Sequence, residues 1–251
     1  MNILKTYTVS TTEPDRFIVY WTNSPVFPKG IIKVRIAANI EDRSIAGELS
    51  AIKYLLEQKC VLGQNQAGNA GIRLSVSCGA IRKLMHRKSN KGHLAPYAQF
   101  LSTRFAGCQI DVDKDRRWFD GFAPSSVEDL LVSGPAQETI RVHGIGEVCV
   151  TRHIVDRFAE RFLPAIAHDK RSQVAWRKLV ELAGDPDVYE VSNENAWTRI
   201  KHSDRGQQES RYFLNPNKKR IFVVTDNPRL GRHLVTTYAA SHHFMRQSKA
   251  A

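Results

Sequence analysis

The chain has 251 residues, 42% hydrophobic and 25% charged, which excludes an intrinsically disordered polypeptide and leaves room for two small domains. Lys plus Arg total 37 against 25 Asp plus Glu, a formal charge of +12 that points to a polyanionic partner. No apolar run reaches the roughly 18 residues of a membrane span, and the opening MNILKTYTVSTTE lacks the basic-then-apolar plan of a signal peptide. The expectation is a soluble, cytoplasmic protein with no membrane partner. Cysteines 60, 78, 108 and 149 form no C-x-x-C pair, so they read as reduced thiols, and neither a metal nor another cofactor is expected.

In chain order, ILKTYTVS, RFIVYWT and IIKVRIAANI are β-rich runs separated by Pro, Asp, Asn and Gly clusters. They predict a three-stranded antiparallel meander. RSIAGELSAIKYLLEQK then predicts a helix whose apolar face is Ile45, Leu49, Ile52, Leu55 and Leu56. After the turn GQNQAGNAG come a strand, IRLSVS, helices at AIRKLMHRK and LAPYAQFLSTRF, and a fifth strand at CQIDVD.

Between Glu57 and Asp111 the chain has no acidic residue, while Lys59, Arg73, Arg82, Lys83, Arg87, Lys88, Lys91 and Arg104 lie inside. A stretch of one sign produces a local positive field. Within it, Arg82, Lys83, Arg87, Lys88 and Lys91, with a glycine-containing turn, are the candidate phosphate contacts.

Residues 119–140 shift towards Pro, Gly, Ser and acid, and read as a linker between a domain at 1–118 and one at 141–240, with a tail at 241–251. The second domain predicts a strand at EVCVT, helices at VTRHIVDRFAERF and RSQVAWRKLVELAG, and strands at VYEVS, WTRIKH, SRYFLN, RIFVVTD and HLVTTY. Two helices on an antiparallel sheet would make an α+β module. In its opening helix, four-residue spacing stacks His153, Arg157 and Arg161 on one face and Ile154, Phe158 and Phe162 on another. The polar stripe reads as an RNA contact, a catalytic site, or a solvated face in which Asp156 and Glu160 pair with the arginines. Arg199 and Lys201 would share a strand face with Trp197, and Lys218, Lys219 and Arg220 sit at a hairpin turn. With Arg211 these complete the candidate RNA-binding set.

The order β-β-β-α-β-α-β and the wording RSIAGELSAIKYLL resemble the ribonuclease H fold over residues 1–118. The resemblance implies a mixed sheet with helices, and Glu48 as one catalytic carboxylate. Val9 and Ser77 stand where that family carries aspartates, so two-metal cleavage is expected to be lost even with Asp111 or Asp113 nearby. Glu48 itself otherwise reads as an exposed or capping helix residue. The second module, through VTRHIVDRFAERF and RIFVVTDNPRLGRHLVTTY, resembles RelE-like small ribonucleases. That resemblance implies metal-free chemistry; in an enzyme, His153, Arg157, Arg161 and Tyr212 would carry it, with Lys201, Arg211 and Tyr238 as further candidates.

Together these features predict an α+β protein that binds single-stranded RNA, mRNA above all, through two nuclease-derived domains without cleaving it. In size and charge it is similar to the small basic mRNA-binding proteins of nucleus-forming bacteriophages. That likeness implies the infected host's cytoplasm and phage or host protein partners. The alternatives are a metal-independent ribonuclease or toxin, and a DNA-associated or protein-docking module.

Overall fold

A computed structural model describes residues 2–23, 29–63, 71–121, 123–191, 210–227 and 231–240. The chain divides into two compact units, Met1–Ala136 and Gln137–Ala251. Both are α+β, and each is built on a six-stranded mixed sheet. Among the described residues no helix is long and apolar enough to cross a membrane.

The first unit opens with β1 (Asn2–Ser10), β2 (Arg16–Thr22) and β3 (Lys29–Ile36), an antiparallel meander with Tyr7 opposite Tyr20 and Ile18 opposite Lys33. Period-two alternation buries Phe17, Val19 and Trp21 of β2, and Ile32, Val34 and Ile36 of β3. They meet α1 (Arg43–Glu57), which buries all five residues of its expected apolar face. β4 (Ile72–Val76) adds parallel to β1, and after α2 (Gly79–Met85) and α3 (Gln99–Ser102), β5 (Gln109–Val112) adds parallel to β4. The helix expected across residues 94–105 is shorter: a 3-10 turn at Gly92–Leu94 precedes the four residues of α3.

The segment expected to be a linker holds two strands. β6 (Ser126–Val132) lies parallel to β3 over seven residue pairs, from Gly30 with Ser126 to Ile36 with Val132. The first sheet therefore runs β5-β4-β1-β2-β3-β6. β7 (Thr139–Val142) belongs to the second sheet, and the division between units falls between them, at Ala136 and Gln137. Apolar residues on alternate positions of β6 outweigh the surrounding Pro, Gly and Ser because β3 offers a ready edge to pair with.

The second unit continues with β8 (Gly146–Cys149), α4 (Arg152–Phe162), α5 (His168–Ala183), β9 (Tyr189–Val191), β10 (Ser210–Asn215), β11 (Arg220–Asn227) and β12 (Gly231–Ala239). Its sheet runs β7-β8-β12-β11-β10-β9. The sheet is mixed rather than antiparallel, because β8 meets β12 parallel, His233 beside Cys149. Thr151 caps α4 by accepting from the Ile154 N–H at 3.4 Å. Ile154, Val155, Phe158 and Ala159 are buried against α5 residues Ala175, Trp176 and Leu179 and against Phe213, Phe222 and Leu234 of the sheet. The expected strand at 197–202 and the tail at 241–251 lie outside the described residues.

Candidate nucleic-acid interface

The basic segment after β4 is anchored by Ile81 and Leu84, which α2 turns into the core. Helical spacing then leaves Arg82 and Lys83 exposed, and the chain leaves the helix through Arg87 in the left-handed region (φ 57°). His86, Arg87 and Lys88 are exposed beyond it. Among the described residues no carboxylate pairs with Arg82, Lys83 or Lys88. Lys91, expected to join this group, is held elsewhere: its ammonium reaches both Asp42 carboxylate oxygens at 2.7 Å.

That lysine also bears on the one cluster with metal-ligating side chains among the described residues, Glu41, Asp42 and His93, whose donor atoms lie within 4.8 Å of one another. His93 Nε2 stands 3.2 Å from Asp42. Lys91 already supplies the positive charge that a cation would bring to Asp42.

Glu48 is neither exposed nor a capping residue. It is 1% exposed, facing β1 and the end of β4. Its Oε1 accepts from the Thr6 hydroxyl and the Ser77 N–H, both at 2.8 Å, and its Oε2 accepts from the Ser77 hydroxyl at 2.5 Å. Burial pushes its pKa above the usual carboxylate range, opposed by hydrogen bonds from Ser77 and Thr6. The β1 residue at the glutamate is thus Thr6, with Thr8 near, rather than Val9, since alternate residues of a strand face opposite ways. Asp111 is paired with Arg73 and Asp113 with Lys5. Lys5 stands on the other side of β1 from Thr6. Hydroxyls surround the glutamate, and they do not supply the converging negative charge that two metal ions need.

On α4 the expected stripe forms: His153, Arg157 and Arg161 are all exposed. Its arginines are already engaged. Arg157 stands 3.5 Å from Glu160, and Arg152, one turn earlier, 3.8 Å from Asp156. Arg161 donates to the Thr236 hydroxyl at 2.8 Å and the Thr237 carbonyl at 2.7 Å, with its guanidinium 5.1 Å from the Tyr238 ring centre. These acceptors follow directly on a register shift in the pairing of β11 with β12, between Val223 and Val224. Arg161 is therefore a brace between α4 and β12.

The remaining candidates divide between engaged and exposed side chains. Tyr212 is buried with Leu214, Ile221 and Val223, unsuited to contact RNA or to transfer a proton to it. Arg211 grips Glu190 through two bonds of 2.8 and 2.7 Å, which holds the Glu190 carboxyl below its ordinary pKa. Arg220 lies 4.2 Å from the Phe162 ring centre and donates to the carbonyls of Lys218 and Lys219, and burial lowers its pKa. Lys218 and Lys219 are exposed at the hairpin turn, Lys219 with φ 52°. Arg199 and Lys201 lie outside the described residues.

The structure also assembles a group with no signal in the linear sequence. Phe119 stacks on Tyr20 at 4.4 Å and meets Tyr7 and Trp118, while Arg116 donates to the Tyr7 hydroxyl at 2.8 Å and Lys5 sits 5.1 Å over Trp118. These residues are about a hundred positions apart, and no periodicity connects them.

Fold and site thus define a two-unit α+β protein with an exposed cationic segment on its first unit. No protein-family model, curated protein or solved structure matches the chain.

Proposed function

We propose that the protein binds single-stranded RNA through the surface formed by Arg82, Lys83, Arg87 and Lys88, and does not cleave it. The observation that carries this reading is that Arg82, Lys83 and Lys88 are exposed cations without a carboxylate partner among the described residues. Among the described residues most other candidate cations, Lys91, Arg157, Arg161, Arg211 and Arg220, already have acceptors within the protein. An unpaired cation gives up no internal ion pair when it meets a phosphate, and each such contact releases a counterion.

The sheet order supports a ribonuclease H-like reading of the first unit. β3-β2-β1-β4-β5, antiparallel in the first three and parallel through β1, β4 and β5, is a mixed sheet with helices in the expected chain order, with Glu48 on the helix where the resemblance implies a catalytic carboxylate. Hydroxyls in place of carboxylates support binding without metal-dependent cleavage. The two helices packed on a sheet in the second unit, preceded by two strands and followed by four among the described residues, support its RelE-like reading. There the buried Tyr212 and the engaged Arg161 weigh against a ribonuclease site. In size, charge and nuclease-like architecture the chain resembles chimallin C, the mRNA-binding protein of nucleus-forming jumbo bacteriophages. On that resemblance the RNA is phage mRNA in the host cytoplasm.

The test is labelled single-stranded RNA titrated at several salt concentrations in EDTA, read for both retention and cleavage. Binding should weaken with salt by about 0.7 in log K per log salt for each phosphate contact, and replacing Arg82, Lys83, Arg87 and Lys88 with Ala should flatten the slope. An unchanged slope places the contacts elsewhere. Cleavage in EDTA that His153→Ala removes would favour the metal-independent ribonuclease.

A further inference from the structure

We propose that the outer edge of β6 is a docking site for an extended protein segment whose alternating side chains run apolar, basic, apolar. This site is separate from the cationic segment after β4 and stands independently of RNA binding.

β6 ends its sheet, with β3 on its inner side and no described strand on its outer side. Seven residues of extended backbone at a sheet edge are a template for strand addition. The side chains alternate accordingly. Glu128 faces inward, accepting from Tyr54 at 2.5 Å and pairing with Lys59 at 2.9 Å, and Val132 is buried. On the opposite face Val127 is 52% exposed and Leu131 64%, the two most exposed large hydrophobic residues described. Asp129 lies exposed between them. A groove beside this face is lined by Ile18, Lys33, Arg35, Asp129 and Leu131.

The charge selects the occupant. Asp129 has no ion-pair partner among the described residues, although Lys33 is its register neighbour on β3. An incoming strand would set apolar side chains beside Val127 and Leu131 and a lysine or arginine beside Asp129, and opposite charges at directly facing positions stabilise a sheet. A second copy pairing antiparallel about the strand centre would match Val127 with Leu131 but oppose Asp129 with Asp129, and like charges there repel. RNA would bring phosphate to the same carboxylate. Exposed aliphatic residues around one unpaired acid therefore favour a basic, apolar strand over both.

The test uses the full chain and a fluorescein-labelled heptapeptide, TVTKTVT, whose valines and lysine share one face, followed by anisotropy. The expected result is saturable binding about five-fold or more tighter than that of TVTETVT. That preference should reverse in Asp129→Lys, and binding should vanish when alternate backbone nitrogens of the peptide are methylated. Equal binding of the two peptides, or none up to about 1 mM, would overturn the proposal without any variant being needed. So would a dimer in sedimentation that Leu131→Lys converts to monomer, which would assign the edge to a second copy. Loss of oligouridylate binding in Leu131→Glu would assign it to RNA.

Discussion

Ser77 grips both oxygens of Glu48, its N–H donating to Oε1 and its hydroxyl to Oε2, across 29 residues of chain. Because Oε1 also takes the Thr6 hydroxyl, an amide can replace the carboxylate with every partner kept: its oxygen at Oε1, its NH2 donating to the Ser77 hydroxyl. At acidic pH, where the carboxyl is protonated, Glu48→Gln should therefore fold with stability close to wild type, whereas Glu48→Ala should lose about 1–3 kcal/mol for each donor left unsatisfied. Urea denaturation of the two variants checks this.

The same carboxyl sets a pH dependence. Its folded pKa is raised, so its contribution to stability is fully present below the ordinary carboxylate range and is lost as pH rises through the folded value. Wild type should lose stability relative to Glu48→Gln from about pH 5 upward. A difference between the two that stays constant from pH 4 to pH 8 would show that burial does not penalise the charge.

The two arginines of α4 should separate. Arg161→Ala removes two hydrogen bonds and a ring contact that tie the helix to β12, and should cost about 1–2 kcal/mol. Arg157→Ala breaks one exposed pair and should cost less than about 0.5 kcal/mol. Thermal melts of the single variants read the difference, and an equal effect would remove the bracing role of Arg161.

Gly30 opens the pairing of β3 with β6, opposite Ser126. A Cβ there would lie 2.5 Å from both Ser126 Oγ and Trp21 Nε1. Trp21 is buried and cannot swing clear, so Gly30→Ala should destabilise the first unit by about 1–3 kcal/mol. Hydrogen exchange should rise in Ser126–Val132 first, since among the described strands only β3 is hydrogen-bonded to it.

Burial pushes the Cys108 thiol up to about 12. Iodoacetamide at pH 8 should leave it unmodified in the folded protein and alkylate it in urea, because the thiolate is the nucleophile. Mass spectrometry of digested protein distinguishes the two states.

The local patterns were legible without any structure. Alternation in β1 to β3 and the 3.6-residue period of α1 and α4 declare which side chains are buried, because each element must hide one apolar face wherever it packs. The absence of acid from residue 58 to residue 110 likewise declared the cationic stretch in which Arg82, Lys83 and Lys88 are found exposed. Tertiary structure alone decided the partners. Ser126–Val132 reads as linker by composition and becomes a strand because β3, ninety residues earlier in sequence, supplies an edge. Lys91 carries the same charge as Lys88, yet Asp42 claims it, and Arg161 looks like Arg157 until Thr236 and Thr237 come within reach. Whether a charge is spent inside the protein or left for a ligand depends on which distant residue the fold brings within about 3 Å, and no local period encodes that distance.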